Sequence, residues 1–209
     1  LKSKGMDFEC NIVGEGPLKR KLQLLIDSYQ LNEYVRFLGI KSQEEIKELF
    51  NETTMMVQPS VIADNGDRDG IPNVILESMA YGIPVISTDV SGIPEVVIND
   101  KTGILVPQKD SVSLADAITR LFMDKKMQED LSKNARKLVQ EKFDIKKNIL
   151  QLLKIYQSKG IYSPKEITYN GKTISKEQYM INNRKLNILY IIPSLEVGGA
   201  EQIVINLAK

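Results

Sequence analysis

Over the first two-thirds of the chain, short apolar runs alternate with amphipathic stretches, the pattern of a parallel sheet covered by helices on both sides. Apolar and β-branched content predicts strands over 8–13, 34–38, 54–58, 84–88 and 103–106. Helices are predicted between them over 17–29, 42–51, 72–81 and 92–98. Three more follow over 110–123, 126–141 and 144–157, the second with Leu131, Ala135, Leu138 and Val139 at three-to-four spacing. The fold class expected is α/β, a Rossmann-like doubly wound parallel sheet over residues 1–157.

The alternation stops near residue 158. Residues 158–185 are polar, with Asn170-Gly171 between Ile167-Thr168-Tyr169 and Lys172-Thr173-Ile174, a two-residue hairpin signal inside a linker. Residues 186–209, "LNILYIIPSLEVGGAEQIVINLAK", then restart with an apolar strand, the pair Gly198-Gly199 and a helix, the opening βα unit of a second α/β domain. A chain that opens at Leu1 without methionine and closes inside an amphipathic helix reads as a piece of something longer.

Composition narrows the chemistry. With 42% hydrophobic and 26% charged residues the chain is an ordinary globular one. A formal charge of +1 with scattered basic residues argues against nucleic acid as a partner. The lone cysteine, Cys10, lies in an apolar run and is expected to be a buried thiol in a reducing, cytoplasmic compartment. The absence of histidine removes Ser/His, Cys/His and histidine-rich metal sites. No apolar run reaches the roughly 18 residues of a membrane span.

Two glycine-bearing loops remain as candidates. "NGDRDG" at 65–70 offers Asn65, Asp67, Asp69 and Gly70 in the register of a calcium loop, but the closing position holds Leu76 and Glu77 arrives one residue late. No metal site is therefore expected. The loop instead enters a helix at Pro72, so the free N–H groups near Gly70, Ile71 and Asn73 form an anion site at the carboxyl edge of the strands. Asp69 and Glu77 bracket it; near a diphosphate such carboxylates are suited to accepting hydrogen bonds from hydroxyls. That combination of phosphate and hydroxyls is a nucleotide sugar. The alternative is that Asp69 caps the helix and Glu77 solvates it. In "NIVGEGPLKRK", Gly14 and Gly16 let backbone approach a ligand and Pro17 suits a first helical turn. A dinucleotide fingerprint fails there, since Lys19 holds the third glycine position and no acid ends "YVRFLG". A tight turn without ligand is the other reading.

Five segments, "IVGEGPLK", "VRFLG", "VQPS", "DGIPNVILESMAYGIPVISTDVSGIPEVV" and "TGILVP", together resemble the donor-binding half of the family-four retaining glycosyltransferases, whose GT-B architecture is two facing Rossmann-like domains. The resemblance covers about residues 8–157. It implies that Glu77 holds the donor ribose hydroxyls and Asp69 those of the transferred sugar, with the backbone of Gly70, Ile71, Pro72 and Asn73 on the sugar and diphosphate. Gly14 and Gly16 would flank the cleft, and the turn at Gly39 and Ile40 would meet the base. Asp69 departs from the family's Glu-x7-Glu pair by being the shorter acid. The resemblance also places a strand ending in Gly-Arg, with a following Lys, before Leu1, so that the donor half is truncated at its first βα unit. The segment 186–209 resembles the first βα unit of the acceptor half of a second such enzyme, whether by tandem fusion or by an artefact of assembly.

The implied activity is transfer of a sugar from a UDP- or GDP-sugar to a glycan or lipid-linked acceptor in surface polysaccharide synthesis, without metal or cofactor. The missing acceptor half would be a partner, the piece alone inactive, and the parent a peripheral visitor to the inner membrane face. A noncatalytic sugar-nucleotide binding module, or an epimerase or phosphorylase of the same architecture, remains open.

Overall fold

A computed structural model describes residues 1–159 and the short strands at 167–169 and 172–174. The expected strands form as β1 (Cys10–Val13), β2 (Val35–Gly39), β3 (Met56–Gln58), β4 (Val85–Thr88) and β5 (Ile104–Val106). The helices are α1 (Lys19–Ser28), α2 (Gln43–Glu52), α3 (Asn73–Tyr81), α4 (Ser111–Met123), α5 (Lys125–Lys142) and α6 (Ile145–Ser158). Every pairing among β1 to β5 is parallel: β1 with β2, and β3–β4–β5 in that order. No ladder joins the two sets among the described residues, so the single sheet expected is divided in two.

β4 is the centre of the larger sheet and is buried at all four positions. Its alternation sends Val85 into one cluster with Ile75, Met79, Ile93, Val96 and Val97, and Ile86 into another with Ile104, Val106, Ala117 and Leu121. α3 therefore covers one face and α4 the other. α5 serves both, contributing Ala135 to the first cluster and Leu131 to the second. The buried hydroxyls of Ser87 and Thr88 donate to the carbonyls of Gln58 and Ser60, each at 2.6 Å. They thus fix the chain where it leaves β3, which is where the candidate loop begins.

Three expectations need correction. The helix expected over 92–98 is a single 3-10 turn, Ile93–Glu95. The consecutive Val96 and Val97 are both buried, and Thr102 Oγ1 takes the N–H of Ile98 at 2.8 Å while donating to the carbonyl of Val96 at 2.5 Å, so the backbone bonds that would extend a helix are used elsewhere. α1 starts at Lys19 rather than 17; Pro17 sits in the preceding turn, closed by Lys19 N–H to the Gly16 carbonyl at 3.1 Å. Cys10 is exposed, because β1 pairs with β2 alone among the described strands and presents an open face. Nearby atoms still desolvate its sulfur and push the thiol pKa up, which disfavours the reactive thiolate.

Contacts divide the chain into Leu1–Leu150 and Gln151–Lys209. In the second unit, β6 (Ile167–Tyr169) pairs antiparallel with β7 (Lys172–Ile174) in the register Tyr169 to Lys172, as the Asn-Gly signal predicts. The βα unit expected over 186–209 lies outside the described residues.

Candidate functional site

Helix N-termini distinguish the two candidate loops from the other connections. α2 carries a capping box, in which Ser42 accepts from Glu45 N–H at 3.3 Å and Glu45 accepts from Ser42 N–H at 2.8 Å. Asp110 caps α4 through the N–H groups of Val112 and Ser113, and Asp124 caps α5 through that of Met127. α1 and α3 have no side-chain cap: their first positions are preceded by Leu18 and Pro72. Asp69, which could have capped α3, does not cap it, and Glu77 is exposed on the helix. The open N–H groups and positive dipole end of α3 are left facing outward beyond the carboxyl edge of β3 and β4.

The loop from Pro59 to Pro72 is held at several points. Ile62 N–H donates to Gln108 Oε1 at 3.0 Å, and a turn closes Ala63 to Asp67 with Asn65 Oδ1 accepting from Asp67 N–H at 3.0 Å. That last bond commits the oxygen a calcium loop would require from Asn65. Among the described residues no cluster of three or more metal-ligating side chains is gathered. Further along, Gly92 N–H donates to the Gly70 carbonyl at 3.2 Å. A methyl group on Gly92 would sit 3.0 Å from Ile71 Cγ1 and 3.4 Å from the Gly70 oxygen. Gly92 therefore lets the turn after β4 press against Gly70 and Ile71 and set their position. Sequence reasoning gave it no role; its place in the "VSGIPEVV" segment was the available signal.

Asp69, Gly70, Asn73 and Glu77 are exposed, and Ile71 and Pro72 half-buried. Neither Asp69 nor Glu77 has a hydrogen-bond or ion-pair partner among the described side chains, in contrast to Glu15, Glu45, Asp100 and Asp116, which are paired. Two acceptor-only carboxylates with free lone pairs flank an uncapped helix end. Such a site can bind an anion by its N–H groups and hydroxyls by its carboxylates.

The second loop brings Gly14 and Gly39 together: Gly14 N–H donates to the Gly39 carbonyl at 2.8 Å, and a register shift after Ile12 sets Val13 opposite Gly39. Both glycines have left-handed φ, 120° and 69°, which other residues rarely adopt. Gly16 is exposed and Ile40 is 79% exposed. These four residues thus form an open ledge at the carboxyl ends of β1 and β2.

A family model, "Glycosyl transferases group 1", matches residues 1–138, most of the described chain. The chain belongs to this family. Residues shared with the putative colanic acid biosynthesis glycosyltransferase WcaL of Escherichia coli are 40% identical over 145 positions, which is 69% of this chain and 36% of that protein. The fold is similar to Anabaena Alr3699/HepE in its complex with UDP-glucose, with a TM-score of 0.64 at 23% identity, over 72% of this chain and 41% of that one. It is also similar to the C-terminal domain of a group 1 glycosyl transferase, LpcC, from Francisella tularensis, at a TM-score of 0.55 and 21% identity, over 69% of this chain and 91% of that domain. The chain thus spans well under half the length of WcaL and HepE, while it spans nearly all of the isolated domain. Both candidate loops fall within the family match.

Proposed function

We propose that this chain forms the donor half of a retaining glycosyltransferase that transfers a sugar from a nucleoside diphosphate sugar, uridine or guanosine, to a glycan or lipid-linked acceptor in surface polysaccharide synthesis. One observation carries the reading: α3 presents an uncapped N-terminus behind a loop braced at Gly70, with Asp69 before it and Glu77 a turn inside, neither paired among the described residues. In this reading the backbone N–H groups of Gly70, Ile71 and Asn73 meet the sugar and diphosphate, Glu77 accepts from the ribose hydroxyls and Asp69 from those of the sugar. The ledge of Gly14, Gly16, Gly39 and Ile40 borders the nucleotide. HepE, a protein of similar fold, has been solved with UDP-glucose, and WcaL is named as a putative colanic acid biosynthesis glycosyltransferase; both support the assignment of substrate class. The acceptor half would come from the remainder of a two-half enzyme. A lipid-linked acceptor would bring that enzyme to a membrane surface; no described helix is long and apolar enough to cross one.

In this reading the diphosphate charge is met within this chain by the open N–H groups at the start of α3, so donor binding needs no metal. Calorimetric titration with UDP-glucose and GDP-mannose tests the reading. Glu77→Gln keeps the shape and removes the ionised acceptor, which should cost about 1.5–3 kcal/mol in affinity for the preferred donor. The unsubstituted chain should bind equally in EDTA. Unchanged affinity in the Gln variant removes Glu77 from the site, and loss of binding in EDTA replaces the carboxylate–hydroxyl scheme with a metal-bridged one.

A further inference from the structure

At the opposite edge of the larger sheet, where the chain enters β3 and β4, lies an open groove of about 780 Å3. Its floor is the end of α3 and the turn into β4; one wall is Thr53 and Thr54 and the other is the outer face of α5. Lining positions on α5 run from Gln128 to Gln140, a stripe about 18 Å long at the helical rise per residue. It is too long for a single sugar and suited to an oligomer.

The chemistry of the groove is cationic, polar and aromatic. Lys133, Arg136 and Lys137 line it against a single carboxylate, Glu129. Lys137 leans to Glu141 at 3.9 Å, but Lys133 and Arg136 have no hydrogen-bond or ion-pair partner among the described residues. Tyr81, 45% exposed, forms part of the floor, and its ring is backed by the buried Phe50 at 5.1 Å between centroids. A half-exposed tyrosine packed at a tilt of 56° against a second ring offers aromatic surface to the C–H groups of a sugar, while an adjacent guanidinium and ammonium take carboxylates or phosphates. The remaining apolar lining, Ile83 and Pro84, is buried. With no apolar wedge beyond Tyr81 to enter a bilayer, the groove fits a soluble polyanion rather than a lipid surface.

We propose that this groove binds an acidic glycan, an oligosaccharide bearing carboxylates or phosphates, on the face away from the donor loops. Tyr81 stacks on a ring, and Arg136 and Lys133 hold the acidic substituents. The assignment is independent of the donor site, since none of its residues belongs to it.

The test uses oligogalacturonate as the acidic probe, with a neutral malto-oligosaccharide, inorganic phosphate, and vesicles of phosphatidylglycerol in phosphatidylcholine as controls, on the full 209-residue chain. Oligogalacturonate should bind with an affinity that falls as salt is raised, and the neutral oligomer at least tenfold more weakly. The double substitution K133Q/R136Q, both at exposed helical positions, should weaken oligogalacturonate at least tenfold and leave UDP-sugar titrations unchanged. Tyr81→Ala should weaken both oligomers. Equal binding of acidic and neutral oligomers, unchanged affinity in K133Q/R136Q, binding of phosphate as tight as that of the oligomer, or binding to vesicles without binding to oligogalacturonate would each overturn the proposal.

Discussion

At the scale of single residues, Gly92 and Gly103 are glycines for different reasons, and the difference predicts different outcomes. A methyl on Gly103 would lie 2.6 Å from the Val85 carbonyl oxygen and 2.7 Å from Val97 Cγ1, so the backbone of the central sheet would have to move. Gly103→Ala should destabilise the fold by about 1–3 kcal/mol, the range for overpacking a filled core. At Gly92 the nearest contact is the movable side chain of Ile71, at 3.0 Å, and φ is −85°, which any residue adopts. Gly92→Ala should therefore change stability less than Gly103→Ala, while displacing the Gly70–Ile71 turn and weakening donor binding. Urea unfolding of both variants beside donor titrations separates the effects. Equal stability losses, with donor affinity untouched at Gly92, would show that the brace does not set the site. Neither glycine stood out in the chain as read linearly. The contact each makes joins segments far apart in sequence, and no periodicity records such a contact. Asp69 and Glu77 were legible for the opposite reason: their spacing around a loop and one helical turn is local.

At the scale of elements, the sequence was most informative where one period dominated. α2, α4 and α5 begin within a residue or so of the expected positions and are capped by Ser42, Asp110 and Asp124, while α3, expected from 72, begins at Asn73 without a side-chain cap. The reading failed over 92–98, where apolar neighbours Val96 and Val97 mimic a helix but both point into the core. The capping box of α2 has a pH signature of its own. Glu45 accepts from Lys41 at 2.8 Å and from Ser42 N–H, which lowers its pKa from 4.5 to about 2. A carboxylate depressed in the folded state contributes stability that is full above its unfolded value and is lost as pH falls towards the folded one. Glu45 should thus support the fold above about pH 4.5 and progressively cease to do so towards pH 2. In Glu45→Gln that part of the acid dependence should disappear, so the stability gap between the two proteins should narrow as pH is lowered through this window. A gap that is constant from pH 6 to pH 2.5, measured by urea midpoints, would mean that neither the Lys41 pair nor the box holds Glu45 in solution.

At the scale of the whole molecule, burial is uneven among the described residues. Among residues 1–70 only Ile26 and Phe50 are buried, whereas β4 is buried throughout and sits between two partners with a hydrophobic cluster on each face. Among the described residues β1 and β2 form a two-stranded parallel pair, and in and just before α1 Leu18, Leu22, Leu24 and Leu25 are between 39% and 62% exposed. Two strands with so little apolar cover are marginal by themselves. The apolar run that made β1 easy to read as a strand said nothing about how well it would be covered, and that is why Cys10 was misplaced in the interior. Stability should therefore be graded along the chain rather than shared. Native-state hydrogen exchange should find the slowest amides in β4 and its ladder partners, opening only with global unfolding, and faster exchange from Asn11, Ile12 and Phe37 through a local opening of the first strand pair. Donor binding gives the gradient a functional readout. The ledge of Gly14 and Gly39 borders the nucleotide in the proposed site, so a bound UDP-sugar should slow exchange in β1 and β2 more than in β4. Uniform protection across both sheets without ligand would refute the uneven-core account. A ligand that protects β4 but leaves the first pair unchanged would detach the glycine ledge from the site.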